Sequence, residues 1–171
     1  DGGRLILGTA QLLPNMRGSY NITGGTIEFT ANAFGIRTPN TYHNIEITVP
    51  VNKEVTYAGG NLTLNPGASV LVKSNATLTS TSGNASLVGT AANMLTVESG
   101  ATFKTAVTAG FYGPSGLPNF SPSVRDNITL DLKPGSTVEY ARLSGEFGLP
   151  VNALSGHQTI TPISTGYQNL H

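Results

Sequence analysis

The side chains in this sequence that could carry out chemistry are few: nine carboxylates, three histidines and a scatter of aromatic rings, with no cysteine. Cleaving a glycosidic bond takes two carboxylates that flank it. Asp126 and Asp131 flank the strand-forming run Asn127 to Leu130. Their five-residue spacing puts them on opposite faces of an extended segment, so they do not read as a catalytic pair. Glu28 and Glu139 occupy equivalent places in a repeat described below and read as solvated charges on outward strand faces. His43, His157 and His171 lack metal-ligand spacing, and no calcium loop, phosphate loop or nucleophile elbow is present. The expectation is therefore a protein with no catalytic residue, metal or cofactor.

Two other groups of residues could make specific contacts. Asn-x-Ser/Thr triplets occur at Asn21, Asn61, Asn75, Asn84, Asn119 and Asn127. In a chain this rich in Asn and Thr they read as turn and ladder residues rather than glycan acceptors. The second group is Phe111, Tyr112, Leu117 and Phe120, in a stretch at 109–125 with several Gly and Pro and no alternation. Phe111, Tyr112 and Phe120 are the candidate ligand-binding residues, because exposed rings stack on sugars or anchor partners. The competing reading has them folding back over a side or end of the structure.

The elements that would position these residues follow from a repeated unit. In Gly60 to Val72, GNLTLNPGASVLV, Leu62 and Leu64 share one face of a short strand, Pro66-Gly67 turns the chain, and a second strand follows. Val70 to Leu78, Leu95 to Phe103 and Leu130 to Val138 read as further copies, with Asn75, Gly100 and Gly135 at the turn. Shorter tails recur at Gly25-Thr26-Ile27 and Ala85-Ser86-Leu87. Gly25, Gly67, Asn75, Gly100 and Gly135 are the expected structural turn residues, being glycine or the residue most tolerant of left-handed angles. Units that each bury one face need neighbours to cover it, which points to a stacked array.

Composition agrees with this picture. The 38% hydrophobic content placed at period two argues for ordered strands, and 171 residues suffice for one core. Charged residues make up 11% and sum to zero, so the electrostatic attraction that nucleic acid or an anionic membrane requires is missing. No apolar run approaches a membrane helix, and the start resembles neither an initiator nor a signal peptide, so the chain reads as a mature or excised fragment.

Along the chain, Arg4 to Leu7 and Tyr42 to Val49 read as strands, the latter with Ile45, Ile47 and Val49 inward. The pattern breaks at 109–125 and again at 142–157, which read as loop excursions from a single segment covering 1–171. A longer repeat matches Gly24 to Phe29 with Pro134 to Tyr140, and Thr41 to Ile45 with Gly166 to Leu170. The chain thus reads as part of a longer array. The expected fold is an all-β, right-handed parallel β-helix or β-solenoid, with coils of about 20 residues and roughly eight rungs. The alternative is an antiparallel β-sandwich.

The motif G-G/S-T-V/I-E-F/Y, followed by a variable loop, Q/R-T-x-x-x, Y-x-N-L/I and N-L-T-L-x-x-G-A, resembles the repeat regions of very large Bacteroidota cell-surface proteins. That group includes gliding-motility adhesins exported by the type IX secretion system. The resemblance covers roughly 20–105 and 127–171; the aromatic stretch at 109–125 and the lack of a C-terminal sorting domain depart from it. It implies a β-solenoid forming part of a long stalk or adhesin, secreted, extracellular and at the cell surface, serving attachment or gliding; the repeated corner units and the lack of clustered acids add the expectation that the segment is non-enzymatic. The implied partners are neighbouring repeats of the same chain, type IX export or outer-membrane anchoring proteins, and surface glycans, with no nucleic acid. Competing functions are a polysaccharide-active β-helix enzyme with its site in 109–157 and a glycan-binding module.

Overall fold

The computed structural model describes residues 2–8, 21–31, 34–36, 38–81, 85–107, 109–114, 121–141, 163 and 166–171. In chain order the strands begin with β1 (Arg4–Leu7), β2 (Thr26–Phe29), β3 (Phe34–Ile36) and β4 (Asn40–Tyr42). The next coil holds β5 (Asn44–Ile47), β6 (Glu54–Tyr57) and β7 (Leu62–Leu64). The one after holds β8 (Ser69–Val72), β9 (Thr77–Ser80) and β10 (Leu87–Val88). Then come β11 (Asn93–Val97), β12 (Thr102–Thr105), β13 (Tyr112–Gly113) and β14 (Val124–Arg125). The last are β15 (Ile128–Leu132), β16 (Thr137–Tyr140) and β17 (Asn169–Leu170).

These strands form three sheets, each built from strands of successive coils. The first runs β1-β2-β5-β8-β11-β15, the second β3-β6-β9-β12-β16-β17, and the third β4-β7-β10-β14-β13. Every strand pairing among the described residues is parallel, as in β5 on β8 and β8 on β11. The chain is therefore a β-solenoid, and the antiparallel sandwich is excluded. Ile45, Val70 and Leu95 stand in one column, so the central coils are 25 residues long rather than 20. Among the described residues the longer sheets have six strands each, a stack of about 24 Å, where eight rungs would span more.

Period-two patterning sets what is buried. Ile27, Ile45, Val70, Leu95 and Leu130 point inward in the first sheet, and Val55, Leu78, Phe103 and Val138 in the second. Burying each such side chain contributes about 1.5 to 3 kcal/mol before chain entropy is set against it. At the outermost strands the interior positions are less covered, with Leu5 47% and Leu170 43% exposed.

The corners explain why the repeat looked uniform. Lys73–Ala76, Glu98–Ala101 and Lys133–Ser136 are each closed by a hydrogen bond from the fourth amide to the first carbonyl. The third residue of each, Asn75, Gly100 and Gly135, has φ of 68°, 74° and 82°. That is the turn geometry for which Gly and Asn are suited. These three turns stack, the Asn75 amide donating to the Gly100 carbonyl and the Gly100 amide to Gly135. Gly67 (φ 73°) makes the same turn over Asn65–Ala68, but at a different corner, where the third sheet passes into the first. Ala92 (φ 50°) stands above it. The four sequence copies thus belong to two corners, not one column.

Two other expectations need correction. Tyr42 to Val49 is not one strand: the chain turns at His43, so Tyr42 is buried in the third sheet and Ile45 in the first. Asp131 lies within β15 and does not flank it.

Candidate functional site

The aromatic excursion is drawn into the core at its start. Phe111 is fully buried, meeting Phe103 edge to face at 4.8 Å between ring centroids and lying 6.2 Å from Tyr167. A ring with no exposed face cannot stack on a sugar, so Phe111 is withdrawn as a ligand-binding residue. Phe120 and Leu117 lie outside the described residues, as does the 142–157 excursion. β13 pairs with β14 on the side away from β10, so the chain climbs ahead of its own coil before returning. This detour lengthens the step from Thr96 to its partner Asp131 to 35 residues.

Buried hydroxyls hold the return. The Tyr57 hydroxyl donates to the Ser123 carbonyl at 2.7 Å, and Ser123 Oγ lies 2.6 Å from Thr105 Oγ1. Ser86 Oγ donates to the Pro122 carbonyl and Ser80 Oγ to that of Ala85. Full burial, partly offset by its hydrogen bonds, raises the Tyr57 phenol well above its usual range. The sequence carried a signal for this spine: Ser80 and Thr105 stand at inward positions where alternation calls for apolar residues.

An asparagine ladder, anticipated only in general terms, runs along the corner between the third and first sheets. Asn44 Oδ1 accepts the Ser69 amide, and Asn93 Nδ2 donates to the carbonyls of Asn65 and Ala68. Asn65 Nδ2 donates to the Ile22 carbonyl. Asn127 grips Gly89 from both sides, its Oδ1 accepting the Gly89 amide and its Nδ2 donating to the Gly89 carbonyl. A Cβ on Gly89 would come within 3.0 Å of Asn93 Oδ1 and the Asn127 carbonyl, so the grip requires glycine there.

Most charged groups on the outer faces pair between coils. Arg4 reaches Glu28 through Nε and Glu46 through an Nη, both at 2.8 Å. Lys73 meets Glu98 at 3.3 Å and Lys104 meets Glu139 at 3.1 Å. Hydrogen bonding from Arg4 holds the Glu28 carboxyl below its usual range, with Thr48 Oγ1 adding a bond at 2.8 Å. Thr79 Oγ1 donates to Glu54, and Asp131 pairs with Lys133. No three His, Asp or Glu residues come together among the described residues. His43 lies at a corner with Nδ1 buried and unbonded, and His171 is exposed beyond β17.

Two of the recesses among the described residues have polar side chains in their lining. One, about 360 Å³, lies on the outer face of the second sheet over Thr77 and Thr102, bordered by Lys53, Glu54, Lys104 and Glu139. The other, about 270 Å³, is bounded by Tyr112, Asp126, Asn127, Ile128, Thr129, Leu130 and Ile163. Tyr112 is pinned at its wall, its hydroxyl 3.1 Å from the Asp126 carbonyl and 3.3 Å from that of Ile128. Burial, and secondarily the Asp126 charge, raise its phenol above the ordinary range.

Comparison with protein-family models, curated proteins and solved structures returns no match.

Proposed function

We propose that this chain is a structural segment of a secreted bacterial surface adhesin, supplying reach and stiffness while contact is made elsewhere in the larger protein. The observation that carries the reading is that corner, interior and outward positions alike bond from one coil to the next. The turns of Asn75, Gly100 and Gly135 join in a column, the Asn ladder ties one corner, and Arg4, Lys73 and Lys104 pair with Glu28, Glu98 and Glu139 of the neighbouring coils. Such a stack transmits force along its axis through many parallel hydrogen bonds. Its stability is a sum of coil and interface contributions, which suits a modular stalk. Export by the type IX route and a place at the cell surface belong to this proposal through the sequence resemblance.

Replacing the segment, in the adhesin that carries it, with an unrelated β-solenoid of equal length tests the proposal. A spacer is interchangeable, so attachment or gliding is expected to survive the swap and to fail when the segment is deleted. Loss of function in a swapped protein still displayed at the surface would remove the spacer reading. Assaying the chain and an Asp126→Ala, Asp131→Ala variant on acidic and neutral polysaccharides addresses the enzyme reading, which requires turnover that the variant loses.

A further inference from the structure

The 270 Å³ cleft beside Tyr112 is more than a gap between loops, because main-chain polar groups open into it. Parallel strands direct the N–H and C=O of alternate residues to opposite sides. In β15 the Lys133 amide bonds down to the Val97 carbonyl, whereas the Ile128 carbonyl accepts the Tyr112 hydroxyl on the other side. Leu130, two residues from Ile128 and also lining the cleft, therefore turns its N–H and C=O to that same side. β15 is the outermost strand of its sheet among the described residues.

The side chains around this edge divide into scaffold and free groups. Asn127 lines the cleft but is committed to Gly89 in both directions. The Tyr112 ring is fixed by its hydroxyl and forms one wall, and Ile163 lines the cleft as well. Asp126 is exposed and projects a carboxylate for which no hydrogen bond or ion pair is formed with the described residues, and the Thr129 hydroxyl is exposed beside it. The lining so combines a carboxylate that can accept two hydroxyls, a main-chain donor and acceptor, and an aromatic ring. Its volume of about 270 Å³ lies just below the usual range of ligand sites and matches one sugar ring, with the mouth open to solvent.

We propose that this cleft binds a single neutral pyranose unit of a glycan, its vicinal hydroxyls on the Asp126 carboxylate and its apolar face against the Tyr112 ring. Among the described residues of the lining Asp126 is the only charged side chain, and its negative charge disfavours uronic and sialic acids. The site goes beyond the spacer role and stands apart from it: a chain that binds no sugar can still be a stalk.

Saturation-transfer NMR and calorimetry on the full chain, with neutral hexoses, N-acetylhexosamines and uronic acids as separate arms, test the assignment. The expected result is weak binding, on the order of millimolar, of one or more neutral sugars and none of uronic acids. Asp126→Asn is expected to weaken binding about tenfold or more, the loss of a charge-assisted hydrogen bond. Tyr112→Ala removes the ring and is expected to abolish binding, with circular dichroism confirming that the fold is retained. Asp131→Asn, outside the cleft and paired with Lys133, is expected to bind as the wild type does. No saturation transfer from any neutral sugar at about tenfold the expected constant, undiminished binding by Asp126→Asn, or a preference for uronic acids would each overturn the proposal. Binding of extended peptides along β15 in place of sugars would overturn it as well.

Discussion

Gly25 and Gly67 share a left-handed backbone, with φ of 79° and 73°, but differ in what surrounds them. A Cβ on Gly67 meets nothing within 4 Å, whereas on Gly25 it would overlap the Gly3 carbonyl oxygen. Holding alanine in this conformation costs about 1 to 2 kcal/mol, and stiffening the unfolded chain offsets about 0.4 to 1 of that. Gly67→Ala is thus expected to destabilise by about 1 kcal/mol. Gly25→Ala carries the same strain and must also displace Gly3, whose carbonyl accepts the Thr26 amide at 2.8 Å. Losing that bond adds about 0.5 to 1.5 kcal/mol. Loosening β1 further uncovers part of Leu7, now 5% exposed, for an expected total of about 2 to 4 kcal/mol. A stacked array need not unfold in one step, so urea denaturation should be paired with amide exchange resolved to β1. The reasoning fails if Gly67→Ala costs as much as Gly25→Ala, or if β1 amides in Gly25→Ala exchange at wild-type rates.

Acid should loosen the same strand. Glu28 is held below the usual glutamate range by Arg4, so its contribution is present above that range and is lost as pH falls through its lowered folded value. Exchange of β1 amides, corrected for intrinsic rates, is expected to accelerate on acidification, and Glu28→Gln should flatten the dependence; an unchanged profile in the variant would assign it to another group. Phe111→Ala leaves a cavity against Phe103 and is expected to cost about 3 to 5 kcal/mol, with exchange rising first at β12 and β13. An unshifted denaturation midpoint would mean that Phe111 does not hold the excursion in place.

Alternation made the inward residues legible: Leu62, Leu64, Ile45, Ile47 and Val70 are all buried as their spacing implied. The left-handed positions could likewise be read from Gly and from Asn75, since few other residues tolerate those angles. Which corner each turn occupies could not be read, because all three corners ask for the same thing, a short strand, a reversal and another short strand. Gly67 and Gly100 look identical in sequence for that reason and lie at different corners. The break at His43 was hidden because Tyr42 and Ile45 are both inward residues of their own sheets, and the chain turns there without Gly or Pro. The site was less legible than the fold. Burial of Phe111 depends on Phe103 and Tyr167, and the cleft depends on which side of β15 the Ile128 carbonyl faces; both are decided by how coils stack.

The longer repeat shows what this equivalence of corners permits. In its first copy Thr26 pairs with Asn44 and Ile27 with Ile45, on the first sheet; in its second Thr137 pairs with Asn169 and Val138 with Leu170, on the second sheet. The Asn44 amide bonds the Gly25 carbonyl at 3.1 Å, and the Asn169 amide bonds the matching Ser136 carbonyl at 3.1 Å. The motif therefore specifies a pair of neighbouring strands and their register, with no reference to the face on which they lie. A strand pair of this kind can be duplicated at an offset that is not a whole number of coils and still find its partner, because the next face offers the same backbone ladder. Excursions such as 109–125 are tolerated on the same ground: they change how far the chain travels between strands, while β14 and β15 keep register with β10 and β11. A solenoid with interchangeable faces can thus acquire a site like the Tyr112 cleft at one coil without disturbing the coils that give it length.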